Sequence, residues 1–196
     1  MGNREDLLEG AKKCLREKGY DRTSVRDIAT TAGVSMAAIG YHYGSREALL
    51  NQALFALLDE WGDRMGRVLP PAEDGREAAR DFGRLWESLI TEFAAAPELW
   101  LASVELFMQA QRQPELREAL ASGVAHGWRG MAGIVANVPE ESVPERSART
   151  VGMVQSALVT GVMVQCLSDP ANAPTAAEVL EGLRTLAAIT AADGTS

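Results

Sequence analysis

Cysteine and histidine are nearly missing from this chain. Its 196 residues hold two of each: Cys14 and Cys166, His42 and His126. Two cysteines so far apart, each inside a helical apolar pattern, make neither a disulfide framework nor a metal site. Both read as small buried hydrophobes. The histidines lie 84 positions apart and leave few general bases. A Gly-rich phosphate loop, metal-ligand spacing and a G-x-S-x-G turn are also lacking. The reading is therefore not an enzyme, with no catalytic residue, no metal and no cofactor. A helical hydrolase or thiol enzyme is the competing reading, and a turnover screen separates the two.

No apolar run in the sequence reaches the roughly 20 residues that span a bilayer. The start, MGNREDLLEG, is charged where a signal peptide would be apolar. Its Met-Gly opening is followed by Asp6 where a myristoylation site expects Ser or Thr. A soluble cytoplasmic protein with no membrane partner is expected. Positive charge is also scarce, for the formal net charge is −8. An acidic surface repels phosphate, so the whole chain reads against nucleic-acid binding. The distribution reverses that. Residues 1–50 hold eight basic and seven acidic side chains, a balance of +1, which leaves −9 for the rest. Two parts with different partners are implied.

What is present is helical periodicity. Leu7, Ala11, Cys14 and Leu15 make an apolar stripe that Gly19 ends. In TSVRDIATTAGVS, Thr23 or Ser24 can cap, and Ser24-x-x-Asp27 resembles a capping box. Val25, Ile28 and Ala29 continue the helical pattern until Gly33. Ser35 caps a short helix from Met36 to about Tyr43, and Ser45 caps a longer one from Arg46 to about Val68, stopped by Pro70-Pro71. Further helices are expected over about 75–95, 97–111, 114–137, 143–168 and 174–191, set off mostly by prolines. No alternating strand pattern occurs. The fold class is all-α, with about nine helices.

Two short helices joined by a Gly-containing turn have the form of a helix-turn-helix. Ala29 is small where the helices meet, Gly33 turns the chain, and Val34 and Ile39 plug the core. The second helix would enter the major groove. Ser35, Met36, Ala37 and Ala38 are mostly short and let the backbone approach base edges, where methyl groups meet thymine methyls. Tyr41 and His42 suit phosphate oxygens, as do Ser24 and Arg26 on the preceding helix. Arg46 and the free N–H groups of its helix would hold a phosphate together. Tyr43, four residues after Ile39, reads as packing.

The block "GYDRTSVRDIATTAGVSMAAIGYHYGSREALL" carries Gly19-Tyr20, Thr23-Ser24, Ile28-Ala29, Ala32-Gly33-Val34-Ser35 and Gly44-Ser45 before a basic residue and Glu47. In these residues the chain resembles the tetracycline-repressor (TetR) family. The match covers about a quarter of the chain. Where the family commonly has Gly-Thr-Leu-Tyr, this chain has Ala37-Ala38-Ile39-Gly40, so a usual phosphate-binding tyrosine is Gly40. The usual Phe is Tyr43 and the usual Lys is Arg46. The resemblance implies a three-helix DNA-binding head over residues 1–47 and a ligand-binding and dimerisation body over 48–196. It implies a homodimer through the last two helices, a double-stranded DNA operator of palindromic form and a small-molecule effector that releases a repressor from it.

Residues in the body fit those roles. Val151, Val154, Leu158, Val162 and Cys166 recur at helical spacing, with Gly152, Ala157 and Gly161 small enough for close approach. Val179, Leu180, Leu183, Leu186 and Ala187 follow on the last helix. All four tryptophans lie beyond residue 60. Candidate effector contacts are Trp61, Met65, Trp86, Phe93, Trp100 and Met108, with Glu105 and His126 as polar groups. Core packing is the competing reading for each aromatic, and a solvent edge for Glu105. A pure dimerisation module, without DNA contact, is a third reading of the whole chain.

Overall fold

The computed structural model describes residues 3–66 and 75–192, with side chains described from Arg80 and up to Ala191 in the second stretch. The expected end of the fourth helix near Val68, its Pro70-Pro71 stop and the last four residues lie outside the described residues. No strand occurs among those described. The helices are α1 (Asn3–Arg22), α2 (Val25–Ala32), α3 (Met36–Tyr43), α4 (Arg46–Gly66), α5 (Gly75–Ala95), α6 (Pro97–Ala110), α7 (Pro114–Ala136), α8 (Glu145–Ser168) and α9 (Ala176–Ala192). Short 3₁₀ turns at Glu140–Ser142 and Pro170–Asn172 precede the last two.

Local chemistry accounts for the boundaries. Gly19 takes φ 76, a left-handed value that only glycine adopts without cost, and kinks α1 before its last residues. Ser24 closes the expected capping box. Its hydroxyl accepts from the Asp27 backbone N–H, and its own N–H donates to Asp27 Oδ2 at 2.9 Å. Gly33 ends α2 at φ 69, its N–H directed to Ala29 and Thr30 carbonyls. Ser45 caps α4 through the Ala48 N–H at 3.0 Å. Ser35 has the extended backbone of a cap, yet its hydroxyl makes no capping bond, against expectation.

The chain divides into two compact units. The first comprises Met1–Arg64 with Ala96–Gly127, and the second Met65–Ala95 with Trp128–Ser196. In the first, Leu7, Ala11, Cys14 and Leu15 of α1 meet Ile28, Ile39, a run of α4 from Leu49 to Leu57, and Leu99, Ala102 and Leu106 of α6. Each buried leucine contributes on the order of 1.5–3 kcal/mol. Val34 and Ile39 pack as the expected plugs. A close approach of α1 to α2 falls at Gly10. A Cβ there would lie 2.9 Å from the Ala32 Cβ and 3.2 Å from the Ile28 carbonyl. Glycine thus lets α1 lie directly on α2.

In the second unit α5 packs on α8 and α9. Leu85, Trp86, Leu89 and Phe93 give α5 its buried stripe. A π-turn over Ala148–Gly152 opens α8 where Gly152 meets α7. A Cβ on Gly152 would clash with the Trp128 carbonyl oxygen. The sequence reading gave Gly152 to a contact between subunits; it serves the fit of α8 against α7 instead. Both cysteines are free and buried, as expected.

Candidate nucleic-acid interface

The capped turn from α2 into α3 sets the interface. The Val34 N–H donates to the Ala29 carbonyl at 3.1 Å, so the chain reverses tightly after Gly33. Ile39 is buried beneath α3. The opposite side of that helix then faces outward. Ser35, Met36 and Ala37 are exposed, and Ala38 is half-buried against the core. Tyr41 is 86% exposed, its ring edge-on to His42 at 4.8 Å between centroids. On α2, Arg26 is exposed and, among the described residues, has no ion pair. Ser24 is exposed too, but its hydroxyl is held by Asp27 Oδ2 at 2.6 Å.

Asp27 is fixed twice. Lys18 reaches Oδ1 at 2.6 Å, and Ser24 holds Oδ2. The hydrogen bond from Lys18, then those from Ser24, hold its carboxyl well below the usual carboxylate range. Tyr43 packs on the core and donates to the Arg4 carbonyl at 2.6 Å, with the Arg4 guanidinium over its ring. It is a packing residue, as its spacing suggested. Gly40 is exposed, and a Cβ there would meet nothing within 4 Å.

Arg46 differs from the sequence reading. Its guanidinium turns inward to the end of α1. It donates to the carbonyls of Tyr20, Asp21 and Thr23, pairs with Glu47 at 3.0 Å and lies 5.5 Å from the Tyr20 ring centroid. The side chain is only 20% exposed. The last carbonyls of a helix lack intrahelical partners, and a nearby cation satisfies them. Local sequence placed Arg46 at a helix start, where anions bind. It did not reveal that the carbonyls of Tyr20, Asp21 and Thr23 converge there.

Beside it lies a polar joint that the sequence reading missed. Tyr20 is buried, and its hydroxyl is 2.7 Å from Asn51 Oδ1 on α4 and 3.2 Å from Gln109 Oε1 on α6. Burial raises the phenol above its ordinary pKa. Gln109 Nε2 donates to Glu105 Oε1 at 3.2 Å. Burial, then a hydrogen bond with Asp21, raises the Glu105 carboxyl. Glu105 is thus half-buried at the α1–α6 contact. A glutamine four residues after a glutamate on an apolar helix was the available signal.

The candidate effector residues do not gather in one place. Trp61 and Trp100 are buried in the first unit, edge to face at 5.0 Å. The Trp61 indole N–H is buried without a hydrogen-bond partner. Met65, Trp86 and Phe93 are buried in the second unit. Met108 and His126 are exposed; on α6 it is Leu106 and Ala110 that enter the core.

The face of α8 opposite α7 holds an open groove of about 400 Å³, lined by Met153, Val154, Ala157, Leu158, Gly161, Val162 and Gln165. Nothing lies within 4 Å of a Cβ built on Gly161. Leu186 and Ile189 of α9 are 58% and 59% exposed. By length and composition alone α8 would suffice to cross a bilayer, but it carries Glu145, Arg146 and Arg149 and buries a third of its apolar window inside the structure, so it does not indicate a membrane.

The chain matches the family model for bacterial regulatory proteins of the tetR family over residues 7–53. It matches the model for a tetracyclin repressor-like C-terminal domain over 77–188. An HTH-type transcriptional repressor of Mycobacterium tuberculosis is 26% identical, with 79% of this chain and 92% of that protein covered. An HTH-type nicotine-responsive transcriptional repressor of Paenarthrobacter nicotinovorans is 22% identical over 88% of this chain and 87% of its own length. Among solved structures, a transcriptional regulator of Streptomyces coelicolor superposes with TM-score 0.66 at 26% identity, covering 92% of this chain and 95% of that one. A regulator from Saccharomonospora viridis in complex with choline has TM-score 0.61 at 21% identity, covering 93% of each chain, and shows the fold.

Proposed function

Because this chain belongs to the tetR family of bacterial regulatory proteins, and is therefore a DNA-binding transcriptional regulator and not an enzyme, we propose that it is a ligand-responsive repressor. Residues 1–47 read a palindromic operator, and residues 48–196 bind an effector and a second copy of the chain. It acts in the cytoplasm, where the operator is.

The observation that carries the reading is the outward side of α3. With Ile39 buried, α3 presents Ala37 and Tyr41 on its opposite side and leaves Ser35 and Met36 exposed at its start, with Arg26 exposed on α2. The small side chains let the helix sit deep in a major groove, and methyl groups meet thymine. Ser35, whose hydroxyl caps nothing, Tyr41, His42 and Arg26 reach phosphates. Arg46 shapes the head from within and is not among these contacts.

The α8 groove and the exposed leucine and isoleucine of α9 support pairing of the last two helices across a two-fold axis, which gives the half-site symmetry a palindrome requires. The Trp61–Trp100 pair, with its unspent indole N–H, is the favoured place to sense a largely apolar effector in the first unit. A nicotine-responsive relative and a choline-bound neighbour make small amines the first compounds to screen. Such an effector acts only by its differential affinity for two states.

The test is selection of genomic fragments from the source organism by the purified protein, over a salt series with competitor DNA. Recovery of a few palindromic sites is expected. A folded dimer that recovers nothing at low salt would overturn the reading, and equal recovery of all sequences would leave only non-specific binding.

A further inference from the structure

We propose that Tyr20 is a positioning residue that couples α6 to the DNA-reading head, by donating its single hydroxyl proton either to Asn51 on α4 or to Gln109 on α6. The inference rests on the DNA-binding reading above and adds the route by which the body acts on the head.

A phenol has one proton to donate. The Tyr20 oxygen has three acceptors in reach: Asn51 Oδ1 at 2.7 Å, Gln109 Oε1 at 3.2 Å and the Glu47 carbonyl at 3.4 Å. Only one bond can be strong at a time. The two carboxamides sit on helices with different duties. Asn51 is buried on α4, whose first residues cap the end of α1 through Arg46. Gln109 is on α6, within the range matched by the C-terminal family model.

Neither alternative is loose. Gln109 is oriented, because its amide nitrogen is engaged by Glu105 and its oxygen is thereby turned to the phenol. Tyr20 is held, because the Arg46 guanidinium lies over its ring and binds its carbonyl. The preferred acceptor differs from the second by about half an ångström. A shift of α6 of that size toward α1 makes the two acceptors equal, and a larger one makes Gln109 the nearer. When Gln109 takes the proton, buried Asn51 loses its donor, so intermediate positions are disfavoured and the joint has two states.

Helix α6 also grips the same end of α1 through Glu98, which binds Arg22 at 2.6 Å. That ion pair is exposed and worth little by itself. The buried hydroxyl is the part of the contact with alternative partners.

Linkage is reciprocal, so DNA serves as the probe while the effector is unknown. Backbone hydrogen exchange would be measured with and without a DNA fragment selected by the wild-type protein. In the wild type, DNA should protect α3 and change exchange of the α6 amides near Gln109 by at least about threefold. In Tyr20→Phe, DNA should still protect α3, but the change in α6 should vanish. Gln109→Leu should behave the same way, and its half-exposed position keeps the test standing if Tyr20→Phe does not fold. A merely structural tyrosine would lower thermal stability and leave the α6 response intact, which overturns the proposal. Protection of α3 without any α6 response in the wild type overturns it also. No protection of α3 at all would remove the DNA-binding reading, and this inference with it.

Discussion

The guanidinium of Arg46 lies 5.5 Å from the centre of the Tyr20 ring and binds the carbonyl of the same residue. A cation at the start of one helix thus closes the end of another. Arg46→Ala should remove the guanidinium's hydrogen bonds to the Tyr20, Asp21 and Thr23 carbonyls and cost about 2 kcal/mol of stability, read by urea denaturation. The salt dependence of DNA binding should not change, since no phosphate contact is lost. Arg26→Ala should do the reverse. Stability should stay within about 0.5 kcal/mol, and the slope of log K against log salt should fall by about one. A reduced slope for Arg46→Ala would restore it to the interface.

The head was legible where it is local. Gly33, Ser24 with Asp27, and Ser45 act on neighbours within a few residues, and each boundary follows. Pro97 and Pro114 begin α6 and α7 for the same reason. What sequence did not show depends on distant partners. Arg46 turns to carbonyls more than twenty positions away. Gly10 is small because Ala32 and Ile28 press on it, and Gly152 because of Trp128. Glu105 looked like a ligand group or a solvent edge, and Asp21 and Gln109 make it part of a joint. Position in the chain names the residue type; packing decides which way it faces.

Glu105 carries a pH dependence of definite sign. Its carboxyl is raised in the folded state by burial and by Asp21, so the folded protein favours the protonated form. Below the ordinary carboxylate range both states are protonated and nothing is lost. Stability falls as pH rises through that range to the folded value. Glu105→Gln should therefore be more stable than wild type near neutral pH, and the difference should disappear in acid. Thermal melts from pH 3 to pH 8 would show it. A constant difference across that range would mean that Glu105 is not the titrating group.

Asp27 has the opposite sign. Lys18 and Ser24 hold its folded carboxyl low, so the stabilisation is present above the unfolded value and is lost as pH falls below it. Asp27→Asn should flatten the acid limb of the stability curve, and Lys18→Met should flatten it in part. Acid unfolding followed by circular dichroism reads both. Identical acid limbs for Asp27→Asn and wild type would show that this pair does not contribute.

Gly40 tests how the DNA-reading face uses its one conspicuous gap. Its backbone is ordinary helix, and open space surrounds the position where a side chain would begin. Gly40→Ala should stabilise the protein by about 0.5–1 kcal/mol through helix propensity alone and leave DNA affinity nearly unchanged. Gly40→Tyr adds a phenol beside exposed Tyr41 on the outward side of α3, within reach of a phosphate. Tighter binding to the selected operator is expected, by several-fold for one neutral hydrogen bond of about 1 kcal/mol. Tyr41→Ala, at a site with little packing to lose, should weaken binding by a similar factor without moving the melting temperature. Fluorescence anisotropy with labelled operator measures all three. If Gly40→Tyr instead weakens binding while the fold is intact, the backbone of α3 comes so near the DNA at this point that only glycine fits. The gap would then be a close contact with the groove.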